Sequence, residues 1–137
     1  MGLTEIERKE IVTYRLENAK TTFAEIPILL ENKLYKTAAN RLYYSCYYAA
    51  TALLINNGHE AHTHTGVKTL LSLHFISTNI IDKSFSKMYR QLYNLRQTGD
   101  YEDLVNIDED DVKPFIEPAK EFIAIVEKLI SSSQQKI

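Results

Sequence analysis

The chain of 137 residues carries 16 basic and 18 acidic side chains, for a formal net charge of −2. This length suits one domain with one hydrophobic core, so we predict a single helical domain over residues 1–137. Hydrophobic residues make up 45% and charged residues 25%, which are the values of a globular protein. The near-neutral balance excludes a bulk electrostatic attraction to nucleic acid, so any such binding must be local.

Neither secretion nor a membrane span is predicted. The N-terminus lacks the charged and then apolar segments of a signal peptide. The longest weakly polar run, from Leu42 to Ile55, is too short to cross a bilayer. The single Cys46 excludes an internal disulfide, and its place on an apolar helix face predicts an inert thiol with a raised pKa. We expect a cytoplasmic protein that does not contact a membrane.

The first predicted element is a helix that starts at Thr4 and runs to about Asn32. Thr4 and Glu7 have the spacing of a capping box, in which each side chain binds the other residue's backbone N–H. Pro27 removes a backbone hydrogen-bond donor, which predicts a kink at that point.

A second helix, from Tyr35 to Asn57, is predicted to be the centre of the fold because no Gly or Pro interrupts it before Gly58. At helical spacing, one arc is apolar: Ala39, Leu42, Cys46, Ala49, Ala50, Leu53 and Leu54. The opposite face has tyrosines, an arginine and small residues where an exposed helix would have Lys and Glu: Arg41, Tyr44, Ser45, Tyr48 and Ala52. We predict that this face also meets protein. The alternative is an ordinary amphipathic helix with a few surface tyrosines.

A histidine-bearing loop and a short helix follow Gly58. Thr63 or Thr65 is the predicted N-cap of that helix. Clustered imidazoles can bind Zn²⁺ or Ni²⁺, but in this loop only Glu60 adds a further ligand, so no metal site is predicted. The preferred interpretation of His64 is a cap or packing residue, and that of His74 is a residue at the edge of the core.

The next predicted helix runs from about Asp82 or Ser84 to Gly99, with Gly99 as its C-cap. Its apolar stripe is formed by Phe85, Met88, Leu92 and Leu95. A second stripe beside it is formed by Tyr89, Tyr93, Arg96 and Asp100. The acidic run 108–111 suits the start of the last helix, where Pro114 and Pro118 predict irregular first turns. Residues 131–137 are predicted to be a frayed tail.

No segment has the alternating pattern of a strand. The sequence therefore predicts an all-α fold, an antiparallel four-helix up-down bundle with one additional short helix.

Arg96 is the first candidate for chemistry. If its face of the helix is buried, the side chain is held in place and can bind a phosphate through two parallel N–H groups. The alternative is a structural clasp, in which Arg96 bridges two helices through Asp100 and a tyrosine hydroxyl.

Three segments together resemble the HEPN domain family. They are Ala39–Tyr44 with the following 47–54, then His64–Val67, then Arg96–Tyr101. The resemblance implies a dimeric helical bundle of a toxin–antitoxin, defence or nucleotide-handling system, often encoded beside a minimal nucleotidyltransferase. Active members are metal-independent ribonucleases with an Arg, four to six residues and a His. Here Arg96 matches, but Tyr101 follows after four residues and no His occurs after His74.

The resulting hypothesis is a degenerate or non-catalytic HEPN protein without a cofactor, a homodimer that binds nucleotide, RNA or a cognate nucleotidyltransferase. Its predicted ligand-binding residues are Arg96, Asp100, Tyr101, Arg41 and His64. Its predicted interface residues are Tyr44, Tyr48, Tyr89 and Tyr93. The helix-packing or dimer surface is predicted to include Arg41 together with Tyr44 and Tyr48. One alternative is a ribonuclease that uses Arg96 and Tyr101 in place of the family Arg and His. The other is a purely structural bundle.

Overall fold

The structure, a computed structural model, describes residues 2–101 and 105–134. Over these residues it is all-α, as predicted, and none of the helices described is long and apolar enough to cross a bilayer. The helices are α1 (Glu5–Ala24), α2 (Ile26–Glu31), α3 (Tyr35–Asn56), α4 (His64–Leu71), α5 (Ser84–Tyr101), α6 (Glu109–Val112) and α7 (Ile116–Gln134). The long helices α1, α3, α5 and α7 form the predicted four-helix bundle, and α4 is its additional short helix.

Helix α3 is the centre of the bundle and packs against α1, α2, α4, α5 and α7. Every residue of its predicted apolar arc is at most 1% exposed. Ser45 and Ala52, on the opposite face, are also fully buried. The Ser45 hydroxyl donates to the Leu42 carbonyl at 2.8 Å, so its burial leaves no unpaired donor. The prediction that both faces meet protein is confirmed at these positions.

The predicted first helix consists of two helices. The Thr4–Glu7 capping box is present and starts α1. The helix is interrupted at Glu25, and α2 begins at Ile26 with Pro27 in its first turn. A proline costs little there, because the first N–H groups of a helix have no partner within it.

The prediction that Gly99 ends a helix is wrong. Helix α5 continues through Gly99 to Tyr101. A Cβ atom at position 99 would lie 2.7 Å from Cδ1 of Ile107, so Gly99 packs closely against the end of that side chain and does not form a left-handed turn. The additional residues matter for function because they place Asp100 and Tyr101 on the same rigid helix as Arg96.

The last helix begins late, as Pro114 and Pro118 predict. Asp108 and Asp111 form a capping box for the short α6, and a 3-10 turn, Lys113–Phe115, leads into α7. Helix α7 then runs to Gln134, where Asn56 donates to the Ser133 hydroxyl at 2.7 Å. Residues 131–134 of the predicted frayed tail are therefore helical, and residues 135–137 lie outside the described part of the chain.

Candidate functional site

A cleft of about 740 Å³ opens to solvent where the C-terminal half of α5 meets the start of α4. Three predicted ligand-binding residues, Arg96, Tyr101 and His64, line it together. The remaining lining residues all come from α5: Tyr93, Asn94, Gln97 and Thr98. Two helices separated in sequence therefore build one site.

Arg96 is buried at the base of this cleft, with 9% of the residue exposed. Its Nη2 donates to the Tyr44 hydroxyl at 3.0 Å, and its Nη1 makes a longer contact of 3.4 Å with Gln97 Oε1. Its Nε lies 2.9 Å from Asp100 Oδ2, but the N–H does not point along that line, so the contact is an ion pair and not an aligned hydrogen bond. The contacts of the predicted clasp are present, and the same guanidinium lines the cleft.

Aromatic rings surround the Arg96 guanidinium. Its carbon lies 5.3 Å from the ring centroid of Tyr44, 5.5 Å from that of Tyr101 and 5.9 Å from that of Tyr43. Ring faces attract a cation, and this compensates part of the desolvation of the charge. The rings also restrict the guanidinium to one orientation, so Arg96 is a fixed cation.

A polar chain connects Arg96 to α3 through Asp100. Asn40 Nδ2 donates to Asp100 Oδ2 at 3.0 Å, the same oxygen that faces Arg96. Asn40 Oδ1 accepts from Arg41 Nε at 3.1 Å and from Nη2 at 2.9 Å. The orientation of the Asn40 amide follows from this network. Both arginines are thus linked to one carboxylate.

His64 is the first residue of α4 and lines the cleft together with the residues of α5. Thr63 caps α4 by accepting from the Gly66 N–H at 2.9 Å, which confirms the predicted N-cap. His64 Nδ1 lies 2.7 Å from the hydroxyl of Tyr43, and its ring packs against Tyr47 with the centroids 4.7 Å apart. His64 is therefore a packing residue, as predicted, and it also lines the site.

Burial, and secondarily the positive charge of Arg96, lower the pKa of His64 from its usual 6.5. The imidazole is therefore neutral at neutral pH. If Nδ1–H donates to Tyr43, the lone pair of Nε2 can accept a proton; if Tyr43 donates instead, Nε2–H can bind an anion. One tautomer therefore gives the cleft a proton acceptor, and the other gives it an N–H donor for an anion.

The predicted interface tyrosines divide into two groups. Tyr44, Tyr48 and Tyr93 are half-buried, and they remain interface predictions. Tyr89 is 1% exposed and packs against Tyr43 and Phe122, so its side chain lies in the core and cannot form an interface. Helical geometry explains this correction, because four residues advance a helix by about 40° beyond a full circle and keep Tyr89 close to the buried Phe85.

The clustered histidines do not meet. His59 stacks on His74, with centroids 3.8 Å apart and rings 11° from parallel, whereas His64 faces the cleft. Burial and the neighbouring His74 lower the pKa of His59. Residues 2–101 and 105–134 contain no group of three or more His, Cys, Asp and Glu side chains arranged to hold a metal. Cys46 is buried, and burial raises its pKa to about 12, as predicted.

Sequence reasoning missed Asn40, Tyr43 and Gln97 as parts of the site. Asn40 had a usable signal, since Asn is a poor helix former and here stands in the middle of a strong helix beside Arg41. Tyr43 and Gln97 had none, because their roles depend on how α3, α4 and α5 pack.

The fold and the cleft define a helical-bundle protein with a buried, solvent-reachable arginine. The chain belongs to the HEPN domain family, whose family model matches residues 12–129. It is 34% identical over 124 residues to a "UPF0332 protein" of Thermotoga maritima, and the match covers 90% of this chain and 94% of that protein.

Two relatives from Methanocaldococcus jannaschii have toxin-type names. "Putative toxin MJ0605" is 32% identical over 93 residues, which cover 68% of this chain and 69% of that protein. "Putative toxin MJ0142" is 26% identical over 132 residues, which cover 96% and 90%. These names are consistent with a toxin–antitoxin type of module.

Among solved structures, the crystal structure of TT1696 from Thermus thermophilus is similar, with a TM-score of 0.73. The alignment covers 85% of this chain and 96% of that one, at 16% sequence identity. At this identity the likeness shows a shared fold alone.

Proposed function

We propose that this protein binds a phosphate-bearing ligand, a nucleotide or RNA, in the cleft beside Arg96, as part of a toxin–antitoxin type of module. One observation carries the proposal: Arg96 is 9% exposed and held on several sides, yet it lines a cleft open to solvent. The toxin-type names of two relatives support the kind of module.

The electrostatics of Arg96 favour an anion. Only one carboxylate, that of Asp100, lies within ion-pair distance of the guanidinium in the described part of the chain, and Asn40 also binds that carboxylate. The Arg96 Nε–H has no hydrogen-bond partner within the described residues and Nη1 has only the long contact with Gln97, so an anion that enters the cleft can bind a buried guanidinium whose donors are not all used. Arginine is also suited to phosphate because its planar N–H groups match two oxygens at once.

Aromatic rings give the cleft a second property that a nucleotide can use. Tyr93 and Tyr101 line the cleft together with Arg96, and Tyr101 is 69% exposed. A base can stack on such a ring while its phosphate contacts the arginine, as occurs in proteins that bind single-stranded nucleic acid.

The test is a binding titration with AMP and with a short single-stranded RNA. We expect saturable binding by the wild type and a loss of affinity of at least about tenfold in Arg96→Lys, which keeps the charge but loses the two parallel N–H groups. Arg90→Lys, on the exposed side of the same helix, is the matched control and should bind like the wild type. Equal binding by all three proteins would contradict the proposal.

A ribonuclease is the second candidate function, and His64 is the observation in its favour. The family His is missing after Arg96, but the imidazole of His64 lines the same cleft and is neutral at neutral pH. Such a group can accept a proton from a ribose hydroxyl, whereas the unperturbed pKa of a tyrosine is about 10.

Incubation with total RNA in the presence of a chelator separates the two candidates. Cleavage that is lost in folded Arg96→Ala and His64→Gln, but retained in Tyr101→Phe, would establish an enzyme that uses the histidine. Cleavage lost in Tyr101→Phe would favour the Arg96 and Tyr101 pair instead. Binding without cleavage at high protein concentration would support the non-catalytic function.

Two protein partners belong to the proposal, a second copy of this chain and a nucleotidyltransferase. Half-buried tyrosines support it, since Tyr44, Tyr48 and Tyr93 leave aromatic surface accessible next to the Arg96 cluster. Tyrosine is enriched in protein interfaces because it combines apolar area with a polar tip. Light scattering tests the homodimer: we expect a mass of two chains for the wild type and of one chain for Tyr48→Ser at the same concentration. A wild-type mass equal to one chain would contradict the homodimer.

A further inference from the structure

We propose that Arg41 forms a second phosphate contact beside Arg96, so that the site accepts a ligand with two neighbouring phosphate groups. The ligand class is then a diphosphate, or two successive phosphates of a nucleic-acid strand. This inference rests on the proposed function, because it extends the anion site at Arg96.

The two guanidinium groups share one aromatic ring. The Arg41 Cζ lies 5.6 Å and the Arg96 Cζ 5.3 Å from the ring centroid of Tyr44, so the two carbons are within about 11 Å of each other. A phosphate bound by arginine has N–O distances of about 2.8 Å on its own side. Arg41 does not itself line the cleft, and the upper limit of the distance between the two carbons is short enough for two phosphates joined by one oxygen, or adjacent along a strand, to extend from Arg96 to Arg41.

One edge of Arg41 is fixed and the other edge is available. Its Nε and Nη2 both donate to Asn40 Oδ1, at 3.1 and 2.9 Å, which orients the planar group. Within the described residues its Nη1 has no hydrogen-bond partner, and Arg41 is half-buried and not sealed in the core. The edge formed by Nη1 and the second N–H of Nη2 is the fork that binds two phosphate oxygens.

The local charges leave room for a second anion. Arg41 and Arg96 bring two positive charges to one carboxylate, Asp100, and Asn40 connects them through neutral hydrogen bonds. In the described part of the chain Arg41 forms no ion pair. Arg41 therefore has no carboxylate partner of its own, and a second phosphate beside it pairs with a guanidinium that a single phosphate bound at Arg96 does not contact.

The test compares inorganic phosphate with pyrophosphate by calorimetric titration at constant ionic strength. Pyrophosphate binds more tightly than phosphate to many cationic sites. The decisive quantity is therefore the ratio of the two affinities, called here the advantage of pyrophosphate, and how much each variant reduces it. In Arg41→Gln we expect pyrophosphate to lose at least about tenfold in affinity, the change of one charge-assisted contact, while phosphate changes less than about twofold. Arg90→Gln, an exposed arginine of α5, should retain the full advantage of pyrophosphate.

Arg41→Lys is the second variant, because it retains the charge and the packing over Tyr44. It should lose a smaller part of the advantage, since a lysine cannot form the fork. An unchanged ratio of the two affinities in both folded variants would overturn the inference. If, in that case, the wild type still binds phosphate and Arg96→Gln does not, the proposed function stands and only the role of Arg41 is rejected. If wild-type protein binds neither anion, nor AMP, nor RNA, the proposed function itself fails.

Discussion

Both faces of α3 contact protein, but the apolar face is fully buried, the opposite face is half-buried at Arg41, Tyr44 and Tyr48, and different forces hold the two faces. The apolar face consists of alanine, leucine and cysteine, and its contacts need only complementary shape. The opposite face carries Tyr44, Arg41 and Asn40, whose contacts are specific hydrogen bonds and cation–ring pairs. Apolar packing tolerates small shifts, whereas a polar atom displaced from its partner loses the whole bond. The comparison shows one helix acting as core on one side and as a rigid frame for a binding site on the other.

The largest expected effect is on the apolar face. Leu53→Ala removes a 1% exposed side chain and should lower the free energy of unfolding by about 2–5 kcal/mol, because a cavity adds to the lost burial. Urea denaturation measures this. In the protein that remains folded, AMP should bind as in the wild type. A stability loss below about 1 kcal/mol would contradict the division between the two faces.

Arg96 of α5 contacts the polar face of α3 through Tyr44, and Arg96→Met should lower the unfolding free energy less than Leu53→Ala but weaken ligand binding more. The change removes the ion pair with Asp100 and the donor to the Tyr44 hydroxyl, which corresponds to about 1–3 kcal/mol of unfolding free energy. Urea denaturation and AMP titration of the same samples check both quantities. Reduced stability with unchanged binding would identify Arg96 as a structural clasp only.

Tyr43→Phe tests whether the buried Tyr43 hydroxyl orients His64. The change removes the contact with His64 Nδ1 at 2.7 Å and should lower the free energy of unfolding by about 0.5–1.5 kcal/mol. Tyr48→Phe is the control, because its hydroxyl has no hydrogen bond within residues 2–101 and 105–134. Nitrogen NMR of the imidazole should report a changed tautomer population in Tyr43→Phe alone. The same spectrum in both variants would show that Tyr43 does not select the tautomer.

The smallest expected effect is a pH dependence. Burial and Arg96 lower the pKa of His64 below 6.5, so the unfolded chain takes up a proton before the folded one does as the pH falls. Above pH 6.5 both states are neutral and His64 contributes nothing; below it, His64 lowers the free energy of unfolding. His64→Gln should therefore flatten the dependence of the unfolding free energy on pH below 6.5, which urea denaturation over a pH series measures. An anion in the cleft should oppose the effect, because it favours the protonated imidazole.

The sequence predicts α3 well and the site only in part, for a physical reason. Helical spacing fixes which residues of one helix share a face, so the apolar arc and the stripe with Arg96 and Asp100 follow from sequence alone. The meeting of His64 with Arg96 depends on how α4 and α5 pack, and no local pattern contains that information. The prediction of a C-cap at Gly99 fails for the same reason, because Gly99 packs against Ile107, which lies beyond the end of the helix.

The contact between Gly99 and Ile107 also limits how this sequence can change over time. Alanine at position 99 would favour the helix by up to about 1 kcal/mol, but its Cβ would stand 2.7 Å from the end of the Ile107 side chain. A shorter residue such as valine at position 107 removes that atom. Alanine needs only a shift of that side-chain end, whereas a residue larger than alanine at 99 has little room beside the buried Ile107 and is expected to occur together with a smaller residue at 107.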